Sequence, residues 1–211
     1  MSIKSDFSVK SIDAFQTKEW LLKKHYAKRL PSVSYSFGLF RLDLLVGVLT
    51  IGKPASPFLC VGICGKEYSS FVYELNRLCV NDGLEKNALS FFVGKSLSLI
   101  KENLIIVSYA DKAMNHIGYI YQATNWIYTG ETKERTDIGT SEKTHSRHYD
   151  KSIDKKENRV NRSGKYRYVY FAGKRKKEFA RNLKYPVMEY PKGENKRYDA
   201  SFMPTIQTVL F

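Results

Sequence analysis

The sequence predicts an α/β fold of the mixed, α+β kind: a central sheet flanked by helices, with a basic C-terminal extension. Three observations predict it. Residues 104–130, LIIVSYADKAMNHIGYIYQATNWIYTG, read as one strand-turn-helix-strand unit. Further strand patterns, with period-two alternation or unbroken β-branched runs, are interspersed with helical patterns along the chain before it. A hydrophobic content of 43% in 211 residues is enough to bury one substantial core.

Taken in order, FSVKSI alternates from Phe7 to Ile12 and predicts a strand. Thr17 is placed to cap a helix carrying Trp20, Leu21 and Leu22, with Pro31 as its terminator. The stretches 34–41 (SYSFGLFR) and 44–51 (LLVGVLTI), separated by Leu42 and Asp43, predict a hairpin. Residues 52–66, GKPASPFLCVGICGK, read as a loop because of their glycines and prolines. In 71–80, FVYELNRLCV, alternation puts Val72, Glu74, Asn76 and Leu78 on one face and Tyr73, Leu75, Arg77 and Cys79 on the other. Asn87 then caps an amphipathic helix over 88–101. The central unit supplies a strand (104–109), a polar turn with Asp111 and His116, a helix (117–123) and a strand (126–129). Beyond it, 131–162 reads as polar and irregular, 166–171 as a strand, 174–183 as a basic helix, and 186–211 as a tail over the core or a partner. The expected division is a core over 1–135 and a basic, aromatic-rich extension over 136–211 that completes the sheet.

Composition narrows the function classes. The three cysteines, Cys60, Cys64 and Cys79, sit in apolar surroundings, which suits packed, reduced thiols and a cytoplasmic protein. The C-x3-C pair has no second pair at zinc-site spacing, so packing is the favoured reading over metal. The N-terminal MSIKSDFSVKSID lacks an apolar signal core, and no apolar run approaches the roughly 18 residues of a membrane span. Export and membrane insertion are therefore not expected. The net charge is +14, and 151–185 holds 13 Lys and Arg against 3 Asp and Glu, interleaved with Tyr166, Tyr168, Tyr170 and Phe171. Cations with aromatics are what phosphate contacts and base stacking require, although a solvated basic tail has the same composition.

Candidate site residues follow from position and type. In open α/β sheets ligands bind beyond the carboxyl ends of strands, which is where Asp111 and His116 fall. A carboxylate there also caps turns, and the turn alone does not decide between the two roles. His25 and Tyr26, with Lys28 and Arg29, crowd one helix end; they suit a stacked base and its phosphates, and they equally suit ordinary packing. Arg77 shares its predicted face with apolar neighbours, so its charge needs a carboxylate or an anionic ligand. The free N–H groups at the start of the helix after Asn87 suit a phosphate. His145 and His148 are spaced i, i+3, too few for a metal site by themselves, and surface or phosphate contact is preferred.

The element order resembles the GCN5-related N-acetyltransferase (GNAT) fold, and GYIYQATNWIYTG resembles that superfamily's late helix-strand motif. There a tyrosine on the short helix commonly protonates the departing thiolate, and Tyr121 matches it. Four segments together, WLLKKHYAKRLPSVSYSFGLF, VYELNRLCV, KNALSFFVGKSL and SYADKAMNHIGYIYQATNWIYTG, resemble the phage Mom family of DNA-modifying proteins, which convert adenine in DNA to N6-(carbamoylmethyl)adenine. The resemblance covers 20–130 well and the basic C-terminal part loosely. It implies functional positions at His25, Tyr26, Arg77, Asp111 and Tyr121, with Ser96 a weaker match. It further implies double-stranded DNA with a flipped adenine as substrate, a cytoplasmic site of action in a bacterial host, and protection of phage DNA from restriction. Asp111 would be the base or would orient it, His25 and Tyr26 would hold the adenine, Arg77 would pair with Asp111 or the donor's anionic part, and Tyr121 would protonate the leaving group. An acyl donor such as acetyl-CoA would lie at Asn87, Lys95 and Ser96. The loop CVNDGLEKNA departs from the R/Q-x-x-G-x-G/A pattern of CoA-binding acetyltransferases, so another activated acyl compound remains open, as does iron held by His25 and Asp111. The rival readings are an acyltransferase acting on a protein amine or tRNA, and a non-enzymatic DNA-binding protein.

Overall fold

The computed structural model describes residues 6–138 and 159–194. Its main sheet has seven strands: β1 (Phe7–Ser11), β2 (Tyr35–Arg41), β3 (Leu44–Gly52), β4 (Val72–Val80), β5 (Leu104–Asp111), β6 (Ile127–Glu131) and, from the C-terminal part, β9 (Lys165–Ala172). They lie in the order β1-β2-β3-β4-β5-β9-β6. All neighbours are antiparallel except β4 and β5. A separate ribbon pairs β7 (Arg135–Ile138) with β8 (Arg159–Arg162). The mixed α/β class expected from the sequence is the class observed, and β9 enters the sheet between β5 and β6 rather than at its edge.

The uninterrupted apolar run of β5 has a direct cause, because the strand is covered on both faces. Leu104, Ile106 and Ala110 join a core with Phe92, Val93 and Leu97 of α2 (Ala88–Leu99), Tyr121 of α3 (Tyr119–Ala123), and Trp126. Ile105 and Val107 face a second cluster with Ile63 and Cys64 of α1 (Pro57–Cys64) and Phe179 of α4 (Lys176–Arg181). Helices thus pack on each side of the sheet. Trp20, Leu21, Phe40, Leu45, Val48 and Cys79 form a third cluster under the N-terminal helical turns.

Several local expectations are corrected. Residues 57–64 form α1 rather than loop: Ser56 Oγ accepts from the Leu59 N–H at 3.4 Å, Pro57 occupies the first turn and Gly65, at φ 106°, ends the helix. The proline and that glycine are end signals and do not interrupt the apolar stretch between them. At the N-terminus the cap is Asp13 rather than Thr17, and it forms a capping box with Gln16. The helical segment passes into a π turn over Trp20–Lys24 and stops at His25, well before Pro31. The basic helix is shorter than its pattern, spanning Lys176–Arg181. The stretch 131–162 is not irregular throughout, since the ribbon strands occupy its two ends. His145 and His148 lie outside the described residues, as do 195–211 of the tail. Among its described residues, the tail packs on β6 through Met188 N–H to Tyr128 O (3.0 Å) and Tyr190 OH to Trp126 O (2.7 Å). No helix among the described residues is long and apolar enough to cross a membrane.

Candidate active site

The parallel strands β4 and β5 pair only over Val72–Glu74 and Ile105–Val107, and then diverge. A cleft of about 2460 Å³ occupies the region beyond, and its lining includes His25, Tyr26, Glu74, Arg77, Asp111 and Tyr121. All five sequence-proposed catalytic residues therefore meet at one place, although they come from four separate elements.

The π turn delivers His25 and Tyr26. The His25 N–H bonds to Trp20 O at 2.9 Å, and Lys24, itself buried, pins the turn through an ion pair to Asp82 at 3.0 Å. The His25 ring stacks on Tyr26 (centroids 4.4 Å), and Tyr26 meets His116 edge-on at 6.4 Å. His25 Nδ1 accepts from the Ala27 N–H at 3.0 Å. Burial lowers the His25 pKa to about 3, with the charges of Arg77, His116 and Arg29 adding to the effect, so the imidazole is neutral at physiological pH. Burial, then the nearby charge of Asp111, raises the pKa of Tyr26.

Asp111 is the last residue of β5. Its Oδ1 accepts from Ser163 Oγ at 2.5 Å and from the Ala113 N–H at 3.1 Å, and Lys165 Nζ bonds to Oδ2. Burial by itself would raise its pKa, but the bonds from Lys165 and Ser163 outweigh that and hold the carboxyl below its usual range. Both readings of this residue have a structural counterpart: Asp111 does cap the following turn, and it also faces the cleft. The ion pair joins it to Lys165 and not to Arg77.

Arg77 occupies the other wall. Between β3 and β4 the register passes from Thr50 opposite Arg77 to Ile51 opposite Leu75, leaving Asn76 as a bulge. The expected alternation breaks there. Tyr73, Leu75, Leu78 and Val80 all face the α2 core, whereas Cys79 packs in the cluster beneath the π turn. Arg77 is accordingly set with Glu74, on the face opposite Leu75. Its Nη1 donates to Asn76 O at 2.6 Å and its Nη2 to Arg29 O at 3.5 Å, while its buried Nε has no partner among the described residues. The Glu74 carboxylate accepts no hydrogen bond from the described residues, and burial raises its pKa against the opposing charges of Arg77 and Lys165.

Tyr121 closes the inner end of the cleft. Its hydroxyl lies 2.7 Å from Ser108 Oγ, which also bonds to Leu75 O at 2.8 Å. A carbonyl can only accept, so the single Ser108 proton goes to Leu75 and the phenol donates to Ser108. Burial raises the Tyr121 pKa strongly. Gly118, at φ 81°, lets α3 begin against Tyr168, because a Cβ there would lie 2.3 Å from that ring.

Other expectations are not met. Asn87 adopts φ 72° and makes no side-chain cap. It still lines the cleft, but Lys95 is exposed on α2 and Ser96 is buried in the core, and neither reaches the cleft. The basic block does not form one surface. Since β9 runs antiparallel to β5, Lys165 stands opposite Asp111 and Ala172 opposite Leu104, which puts 174–181 at the far end of the sheet. Arg175 is moreover paired with Glu178 at 2.6 Å and stacked 4.8 Å from the centre of the Phe71 ring. The cations that do line the cleft include Lys28, Arg29, Lys133, Arg135, Arg162 and Lys165. The residues that sequence reasoning missed are Glu74, Ser163 and Lys165: the first is hidden by the bulge, and the other two are 52 and 54 residues from Asp111.

Iron finds no support in these donors: His25 Nδ1 already accepts from a backbone N–H, and no group of three potential ligands exists among the described residues.

The sequence profile of the Mom protein family matches residues 6–192, which includes every cleft residue named above. The chain belongs to the Mom protein family. A Mom-family relative, methylcarbamoylase mom of Escherichia phage Mu, is 25% identical over 203 residues, an alignment covering 89% of this chain and 84% of the relative. Solved structures with a similar course include a Bacillus subtilis acetyltransferase in complex with CoA (TM-score 0.39, 15% identity, 79% of this chain and 97% of that one). A GNAT family acetyltransferase from Elizabethkingia anophelis with acetyl-CoA bound gives a TM-score of 0.45 at 12% identity, covering 79% and 98%. At such scores these two likenesses carry nothing about donor or activity.

Proposed function

We propose that this Mom-family protein is a DNA-modifying transferase that converts adenine in double-stranded DNA to N6-(carbamoylmethyl)adenine or a closely related N6-substituted adenine, and so shields phage DNA from host restriction. The observation that carries this reading is the convergence of a stacked His25–Tyr26 pair, two carboxylates of opposite character and a buried tyrosine in one cleft with basic walls. The name of the phage Mu relative supports the chemistry.

The adenine N6 amine is a weak nucleophile and is hidden inside the duplex, so the base must leave the stack and lose a proton as it reacts. Tyr26 and the neutral His25 offer a flat, partly apolar surface for the base. Asp111, held ionised by Lys165, serves as the orienting acceptor for an N6 hydrogen, and its low pKa makes it a poor proton acceptor. Glu74, with a raised pKa and no donor of its own, takes the N6 proton as the new N6–C bond forms. The bond from that carbon to the donor's leaving atom breaks, and Tyr121 supplies a proton to the leaving group while Ser108 turns to donate to the phenolate.

With an activated acyl donor such as acetyl-CoA this step yields an N6-acyl adenine, whereas the carbamoylmethyl product requires a donor that carries the whole CH2–C(O)NH2 group with its leaving atom on the methylene carbon. The donor's fit rests on the opening between β4 and β5 and on the start of α2, where Lys86, Asn87 and Ser90 line the cleft and would hold an anionic part. The loop before α2 lacks the glycine-rich CoA pattern, which leaves a different acyl ester equally compatible.

Nucleoside mass spectrometry of host DNA after expression tests the reading. The expected result is a deoxyadenosine in which a carbamoylmethyl group replaces one hydrogen. Unmodified deoxyadenosine throughout, with folded protein present, refutes it, and new mass on lysine or tRNA instead identifies an acyltransferase with another acceptor.

A further inference from the structure

Among the described residues, the exposed apolar side chains that line the cleft include Leu22, Leu30, Tyr119 and Val160. Leu30 is the one carried by the loop that follows Tyr26; it is 50% exposed and is flanked in sequence by Lys28 and Arg29 on one side and Pro31 on the other. An apolar side chain set between cations beside a cleft suits an anionic partner with an apolar interior.

The loop that carries Leu30 is tied down along its length. The Lys28 N–H bonds to His25 O at 2.9 Å, and Arg77 reaches Arg29 O at 3.5 Å. Asn76 Nδ2 donates to Ser32 O at 2.8 Å, and the Ser34 N–H to Ile51 O at 2.8 Å. Ser32 O approaches β3 so closely that a Cβ on Gly52 would lie 1.8 Å from it. Lys28 adopts φ 42°, which turns the chain sharply between Tyr26 and Leu30. The aromatic pair at the inner end of this loop and the leucine at its outer end are therefore held in a fixed relation.

We infer that Leu30 is the wedge that enters the DNA base stack and fills the gap left by the adenine received at Tyr26. The inference rests on the DNA-modifying reading above. A flipped base costs the duplex its stacking on two faces, and an apolar side chain inserted there restores part of that contact and blocks the base's return. Lys28 and Arg29 beside it, and Arg135 and Arg162 of the ribbon, which share Asp137 between them and also line the cleft, supply net positive charge for the two phosphate backbones. The loop needs no rearrangement to act, because its backbone bonds are already made.

The test uses a duplex oligonucleotide drawn from a sequence the wild-type protein modifies, with 2-aminopurine in place of the target adenine, so that no donor is required. Binding of the wild-type protein unstacks the 2-aminopurine and raises its fluorescence. Leu30→Ala should bind the duplex within about threefold of wild type yet lose most of the fluorescence rise, and its modification of duplex should fall by about tenfold or more. Its modification of a duplex carrying the adenine opposite an abasic site, where little stacking has to be broken, should stay near wild type. Leu30→Phe should restore the rise, and Leu42→Ala, at an exposed leucine outside the cleft lining, should leave it unchanged. An undiminished rise with Leu30→Ala, or equal losses on both duplexes, overturns the wedge. A wild-type protein that modifies no deoxyadenosine overturns the parent reading instead, and the nucleoside analysis separates the two failures.

Discussion

Replacing His25 by asparagine should remove a specific part of the acid sensitivity of folding. In the folded protein His25 is 7% exposed, faces Arg77, Arg29 and His116, and takes a proton only near pH 3, whereas the unfolded chain takes it near 6.5. Between those values the unfolded state binds the extra proton, so stability is complete above about pH 6.5 and declines as pH falls toward 3. At about 1.36 kcal/mol per pKa unit, acidification from about pH 7.5 to about pH 5 withdraws about 2 kcal/mol through this one group. That is a sizeable share of the roughly 5–15 kcal/mol typical of a domain. In the asparagine variant Oδ1 stands where Nδ1 stood and still accepts from the Ala27 N–H, and nothing at the position titrates. Urea denaturation followed by the fluorescence of the buried Trp20 and Trp126 measures both proteins across this range. The wild type should lose about 2 kcal/mol more than His25→Asn between the two pH values. Parallel pH dependences would show that His25 is solvated or already protonated in the folded state, and the neutral stacking surface assigned to it would fail with that result.

Asp111→Asn and Tyr121→Phe should each stay folded and lose about a hundredfold or more in deoxyadenosine modification; for Tyr121→Phe the fold persists because Ser108 keeps its bond to Leu75 O, and full modification by either variant sinks its role. Arg77→Lys should lose most activity and speed hydrogen exchange at the Lys28 amide by about tenfold, since an ammonium cannot bridge the carbonyls of Asn76 and Arg29 as the planar fork does; unchanged exchange with full activity would contradict this. For DNA affinity, Arg135→Gln with Arg162→Gln should reduce the log-log salt slope by about 2, while Lys174→Gln, Lys176→Gln and Lys177→Gln together should leave it nearly unchanged. The opposite pattern would move the DNA to the far end of the sheet.

How much of this was legible in the sequence depended on the range over which each feature is encoded. Strands β1 to β5, α2 and the β5-α3-β6 unit follow from periodicity and turn chemistry within about ten neighbouring residues, and these were read to within a few positions. Asp111 at a strand end and the His25–Tyr26 dipeptide are recognisable as candidates from residue type and local position, whereas Tyr121 is singled out only by the resemblance of its segment to the GNAT helix-strand motif. The helix over Pro57–Cys64 carries its start and stop signals in Ser56, Pro57 and Gly65, residue types that loops share, so composition by itself does not separate the two. The tertiary structure alone decided the rest. Whether Arg77 shares a face with Leu75 or with Glu74 depends on one unpaired residue, Asn76, and a bulge is set by the register of β3 against β4 and not by the strand's own pattern. Which cation neutralises Asp111 depends on β9 pairing with β5, and the same antiparallel register sends Lys174 and its neighbours to the far end of the sheet, so one basic stretch in sequence becomes two separate regions in space. Local interactions dictate what each segment becomes; only long-range strand pairing dictates which segments' side chains share a cleft, and two cleft carboxylates whose proton affinities shift in opposite directions, Glu74 and Asp111, owe those shifts to surroundings they acquire on folding.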